Sequence, residues 1–95
     1  MSIDISDDMI FSPTEGLEIS EVPDGRVIYQ AANERVHYFN PTAVVVFELC
    51  GLGHTVAEIG TFLKDAYGLA AEPTAEVRQC IEALVKENLL RPSTP

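Results

Sequence analysis

Apolar and polar residues alternate along Leu17-Glu-Ile-Ser-Glu-Val22, the period of a half-buried strand. Arg26 to Ala31 and Glu34 to Phe39 read as two further strands, separated by the turn chemistry of Pro23-Asp24-Gly25 and of Ala32-Asn33. Turns this short join only antiparallel neighbours, so the pattern predicts a three-stranded meander whose first and last strands are edges. At Asn40 the pattern changes. Asn is a favoured helix N-cap, and Pro41 beside it has the φ of a first helical turn and no N–H to leave orphaned. The helix predicted from Pro41 to Cys50 is apolar nearly all round except for Thr42 and Glu48, which marks it as buried. Thr55-Val-Ala-Glu58 is a capping box that starts a second helix at Val56. Ile59, Phe62, Leu63, Ala66 and Tyr67 give that helix one apolar face, and Gly68 is placed for its left-handed terminus.

A third helix is expected from Thr74, as its N-cap, to about Asn88. Val77, Cys80, Ile81, Leu84 and Asn88 centre on one line of it, and Arg78, Ile81, Glu82 and Val85 extend round one flank. A stripe widened on one side suggests that this flank faces something beyond the other two helices. Residues 1–16 carry no sustained period and are expected to be a loose arm, with residues 17–91 as the domain and 92–95 as a frayed end. Leu89-Leu90 is expected to add a short extended piece. The fold class is therefore α+β, with a winged-helix-like order of three strands and three helices.

Ninety-five residues make one domain, and the chain has neither an apolar run of about 18 residues nor a signal peptide. A cytoplasmic protein is expected, as a monomer or weak dimer. Cys50 and Cys80 lie thirty residues apart with no partner at ligand spacing, and read as two free buried thiols. The net charge of −9 repels phosphate backbones and anionic membranes and attracts a cationic peptide or protein. It also weighs against DNA binding by the third helix, whose Glu76, Glu82 and Glu87 outnumber Arg78 and Lys86. Neither nucleic acid nor membrane is expected as a partner. The chain lacks a glycine-rich phosphate loop, an ordered Ser/His/Asp set and any Cys/His cluster. No catalytic residue, metal or cofactor is expected, and His37 and His54 read as structural histidines.

One chemical resource is left, the outer edge of the third strand. Natural proteins blunt such edges with Lys or Pro, and between Glu34 and Phe39 only Glu34 and Arg35 do anything of the kind. An extended peptide can pair with this edge by main-chain hydrogen bonds and lay alternate side chains against the third helix. The alternative is an edge covered by the N-terminal arm or by a second copy of the chain, giving a structural or docking subunit.

Val36-His-Tyr-Phe-Asn-Pro-Thr-Ala43, Phe47-Glu-Leu-Cys50, Thr55-Val-Ala-Glu-Ile59, Val77-x3-Ile81-x2-Leu84 and Asn88-Leu-Leu90 together resemble the PqqD-like family, whose members are also called RiPP recognition elements. The likeness spans roughly residues 17 to 91, and its specificity lies in the order and spacing of these short motifs. Gly51-Leu-Gly53 departs from it, because members commonly show an Asp-Gly turn there. The resemblance implies a winged-helix-like domain that binds the leader of a ribosomally made precursor peptide and presents it to a modifying enzyme, often a radical S-adenosylmethionine protein. It implies that the leader adds as a strand beside Arg35, Val36, His37, Tyr38 and Phe39, against Arg78, Ile81, Glu82 and Val85 of the last helix.

Overall fold

The computed structural model describes residues 5–93; residues 1–4 of the expected arm and 94–95 of the expected tail lie outside the described residues. Strands β1 (Ile10–Pro13), β2 (Leu17–Val22), β3 (Gly25–Gln30) and β4 (Arg35–Phe39) precede helices α1 (Pro41–Gly51), α2 (Val56–Tyr67) and α3 (Thr74–Lys86), and β5 (Leu90–Ser93) follows. β2, β3 and β4 form the antiparallel meander in that order, so β4 is an edge. Pro23 and Asp24 are the two loop residues of the first hairpin, closed by Val22 opposite Gly25. A Cβ on Gly25 would fall 1.9 Å from the Phe39 carbonyl oxygen, so β4 runs where only glycine lets it. The second connection is a single 3-10 turn at Ala31–Asn33. Glu34 follows it at φ 54, a left-handed conformation that keeps Glu34 out of the strand and starts β4 one residue later than the alternation suggests.

The helix ends follow from their sequences. Asn40 accepts a hydrogen bond from the Ala43 N–H at the start of α1, with Pro41 in the first turn. Both halves of the capping box form at α2: Thr55 Oγ1 accepts from the Glu58 N–H at 3.1 Å, and Glu58 Oε1 accepts from the Thr55 N–H at 2.8 Å. Gly68 ends the helix at φ 62. At α3 the expected Thr74 cap is not used. Thr74 is already helical, and Pro73 holds the N-cap position without a side-chain bond. Its carbonyl instead accepts from the Val77 N–H.

The chain ends differ most from expectation. Ile10–Pro13 is not loose: it pairs antiparallel with β5, Ile10 opposite Ser93 and Pro13 opposite Leu90. Phe11 at 1% exposure sits in the core with Leu89 and Leu90, beside Ile28, Val46, Ile59 and Ile81. The hydrophobic gain of burying an aromatic ring explains why four residues suffice to hold this ribbon. The segment before β1 is tied down as well, since Asp7 and Met9 carbonyls accept from the Ala57 and Val56 N–H groups that α2 cannot satisfy internally. Among the described residues no helix is long and apolar enough to cross a membrane.

Candidate functional site

The direction of each main-chain group on β4 follows from the hairpin. In an antiparallel pair a residue turns both its N–H and its C=O to the same side, and its neighbours turn theirs to the other. A two-residue loop is closed by a hydrogen-bonded pair, here Val22 and Gly25, so Gly25, Val27 and Tyr29 face β2 while Arg26, Ile28 and Gln30 face β4. Their partners Phe39, His37 and Arg35 are the bonded residues of β4. Val36 and Tyr38 therefore turn their N–H and C=O groups outward. Among the described residues neither forms a backbone hydrogen bond beyond the sheet. Their side chains stand on the solvent face, 66% and 58% exposed, and the Tyr38 hydroxyl donates to the Asp24 carbonyl at 2.8 Å.

The other three β4 side chains point to the helices. Phe39 is 4% exposed and packs edge-on against Phe47 with ring centroids 5.3 Å apart. His37 is half-buried, its Nε2 3.1 Å from Gln30 Oε1. An amide oxygen only accepts, so Nε2 carries the proton. Gln30, buried in β3, donates its own Nε2–H to the Asn88 carbonyl just after α3 at 3.0 Å. Arg35 reaches Glu87 at 3.3 Å. These links tie the start of β4 to the C-terminal end of α3.

Glu87, the residue just past α3 that Arg35 reaches, does not lie on the flank of the helix that carries Arg78. Arg78 pairs with Asp7 of the N-terminal segment. Nine residues separate Arg78 from Glu87, which at about 100° per residue puts them on opposite sides of the helix. Glu82, bonded along the helix to Lys86, and half-buried Val85 share the Arg78 side. Ile81 is 0% exposed and belongs to the core. The opposite side of the helix carries Glu76, Cys80 and Glu87, of which Glu87 meets β4 through Arg35. The apolar width of a stripe registers any covering neighbour, and on the Arg78 side the N-terminal segment is one, through Asp7. Of the nine residues expected at the site, the structure puts Arg35, Val36, His37, Tyr38 and Phe39 on one strand. Only Val36 and Tyr38 offer free main chain, and Arg78, Ile81, Glu82 and Val85 lie elsewhere.

At the other end of this flank lies an apolar groove of about 200 Å³, lined by Thr42 and Val46 of α1, Leu63 and Tyr67 of α2, Leu69 and Pro73 of the linker, and Glu76, Val77 and Cys80 of α3. Thr42 is three residues past Phe39. Through Thr42 the groove therefore lies beside the chain just past the end of β4. Burial raises the Cys80 thiol pKa, and burial, with the nearby Cys80 charge second, pushes Cys50 up to about 12, so both are unreactive thiols near neutrality. Among the described residues no cluster of His, Cys, Asp and Glu could hold a metal ion.

The family model for coenzyme PQQ synthesis protein D (PqqD) matches residues 25–90. The chain belongs to the PqqD family. That span takes in the β3–β4 hairpin, all three helices and Leu90, and leaves β1 and β2 outside. Among solved structures, TbiB1 in complex with the TbiA(β) leader peptide has a TM-score of 0.75 at 15% identity, covering 88% of this chain and 99% of that one. A lasso peptide synthetase B1 complexed with the leader peptide has a TM-score of 0.69 at 16% identity, covering 86% and 98%. At such identities the likeness is one of fold, and it covers nearly the whole chain. No curated protein matches the sequence.

Proposed function

We propose that this PqqD-family chain binds the leader of a ribosomally made precursor peptide as an added strand on the β4 edge and delivers it to a separate modifying enzyme. The observation that carries the reading is the outward, unpartnered main chain of Val36 and Tyr38 on a strand that no described residue covers. Two N–H and two C=O groups accept an extended peptide without disturbing the ladder to β3, and the Cys80–Glu87 flank of α3 walls the space beside them. Both similar structures named above hold a leader peptide, which supports a peptide as the occupant over a second copy of the chain. In this reading the chain performs no chemistry of its own. The chemistry belongs to the enzyme it serves, a radical S-adenosylmethionine protein or another peptide-modifying catalyst.

The test is a titration of the isotope-labelled protein with a synthetic leader of the precursor peptide encoded beside its gene. Binding should shift the amides of residues 35–39 and of α3 from Cys80 to Glu87. Unchanged amides at millimolar peptide would overturn the reading, and shifts confined to α2 would point to protein docking instead.

A further inference from the structure

The groove past the end of β4 has features that strand addition alone does not use. It is apolar in most of its lining, and Tyr67 and Leu69 remain partly exposed on its rim. Its size is telling: a dry cavity of about 150 Å³ takes a benzene ring, so about 200 Å³ takes a large apolar or aromatic side chain. One acid stands in the lining, Glu76. The other charged residues of α3 are engaged: Arg78 with Asp7, Lys86 with Glu82, and Glu87 with Arg35. Among the described residues Glu76 alone on this helix has no ion-pair partner.

We infer that this groove is a selective subsite for the bound peptide, taking one large apolar side chain from the residues just beyond the added strand and a Lys or Arg next to it, which meets Glu76. The inference rests on the reading of β4 as the peptide-binding edge, and it adds a sequence requirement to it. A strand paired to Val36 and Tyr38 carries its next residues past Phe39 to the level of Thr42, where the groove opens. The protein's charge of −9 favours a cation there and disfavours an acid. Glu76 sits on the rim in contact with water, so its effect is a preference among peptides, while the apolar contact supplies most of the affinity.

Small probes test the subsite apart from the edge. Phenethylamine carries an aromatic ring and an ammonium group; phenylacetate carries the ring and a carboxylate. In amide-shift titrations of the full chain, phenethylamine should move Val77 and Cys80 and bind about two- to fivefold more tightly than phenylacetate. Glu76→Gln should abolish that preference while both probes still bind. Thr42→Trp, at an exposed position, should fill the groove and remove both signals. No shift at Val77 and Cys80 with either probe would overturn the subsite, and equal binding of the two probes to the unaltered chain would overturn the role of Glu76. The leader titration reads Val36 and Tyr38 separately. A leader that moves those amides and leaves the groove untouched refutes the subsite alone. Probes that bind the groove while no leader moves β4 refute its use by a peptide.

Discussion

Amide exchange along β4 tests the assignment of its edge before any ligand is added. The His37 and Phe39 amides are bonded to β3 and exchange only when the hairpin opens, whereas those of Val36 and Tyr38 face solvent. Opening an edge strand costs a few kcal/mol and each 1.4 kcal/mol is tenfold, so His37 should exchange at least about 10²-fold more slowly than Val36 in the free protein. A bound strand reverses the inequality for Val36 and Tyr38 alone. Val36→Pro removes one outward donor and crowds the incoming strand. The lost hydrogen bond is worth about 0.5–1.5 kcal/mol, so affinity should fall by about two- to tenfold from that bond and further from the steric clash, with the fold intact. His37→Pro removes a donor from the ladder itself and should unfold the sheet. Hydrogen exchange read residue by residue by NMR, at dilute protein, decides the matter. Protected Val36 and Tyr38 amides in the free, monomeric chain would show that the edge is covered, and the alternation derived from the hairpin would fail with it.

Further expectations follow from other parts of the molecule. Phe11→Ala should cost about 3–5 kcal/mol of the roughly 5–14 kcal/mol available to a chain of this length, read by urea unfolding, whereas a loose arm would lose almost nothing. Thr55→Ala should cost about 0.5–2 kcal/mol by the same assay. The bond that Glu58 accepts from the Thr55 N–H is the main cause that holds its carboxyl below the ordinary value. Its contribution to stability is therefore present above the unfolded-state pKa and lost as pH falls through the lower folded value, and in Glu58→Gln that part of the acid dependence should vanish. Cys50 and Cys80 should resist alkylation by iodoacetamide at neutral pH and react together on unfolding, followed by mass spectrometry.

What the sequence made legible is local. The capping box at Thr55, Gly68 after α2, Asn40-Pro41 before α1 and the Pro23-Asp24 loop each depend on residues a few positions apart, and each forms as read. The extended piece expected at Leu89-Leu90 is the start of β5, but β1 and its pairing with β5 escaped, because each strand is four residues long, each contains a proline, and the pairing joins positions some eighty residues apart. Nothing near Phe11 in the chain says that Leu89 and Leu90 will receive it. The same limit applied to α3. Periodicity identified Val77, Ile81 and Leu84 as core, and all three are buried, but which flank meets β4 is set by Arg35 reaching Glu87, more than fifty residues away. The candidate strand was thus readable, its outward residues became definite once the hairpin register was known, and the helix wall required the tertiary contacts.

The pairing of β1 with β5 also decides how the protein yields to force. Ile10 and Ser93 are partners at the outermost rung of that ladder, so once the ties of Asp7 and Met9 to the helices have parted, a pull from the two sides of the ribbon loads one rung at a time and peels it open. Strands sheared along their length share the load among all their bonds, and this arrangement does not. Once the ribbon parts, Phe11 and Leu90 leave the core together, and the layer between α1 and α3 loses a wall. A machine that draws proteins in by an end, such as an unfoldase feeding a protease, would therefore meet little mechanical resistance, however well the domain holds against urea.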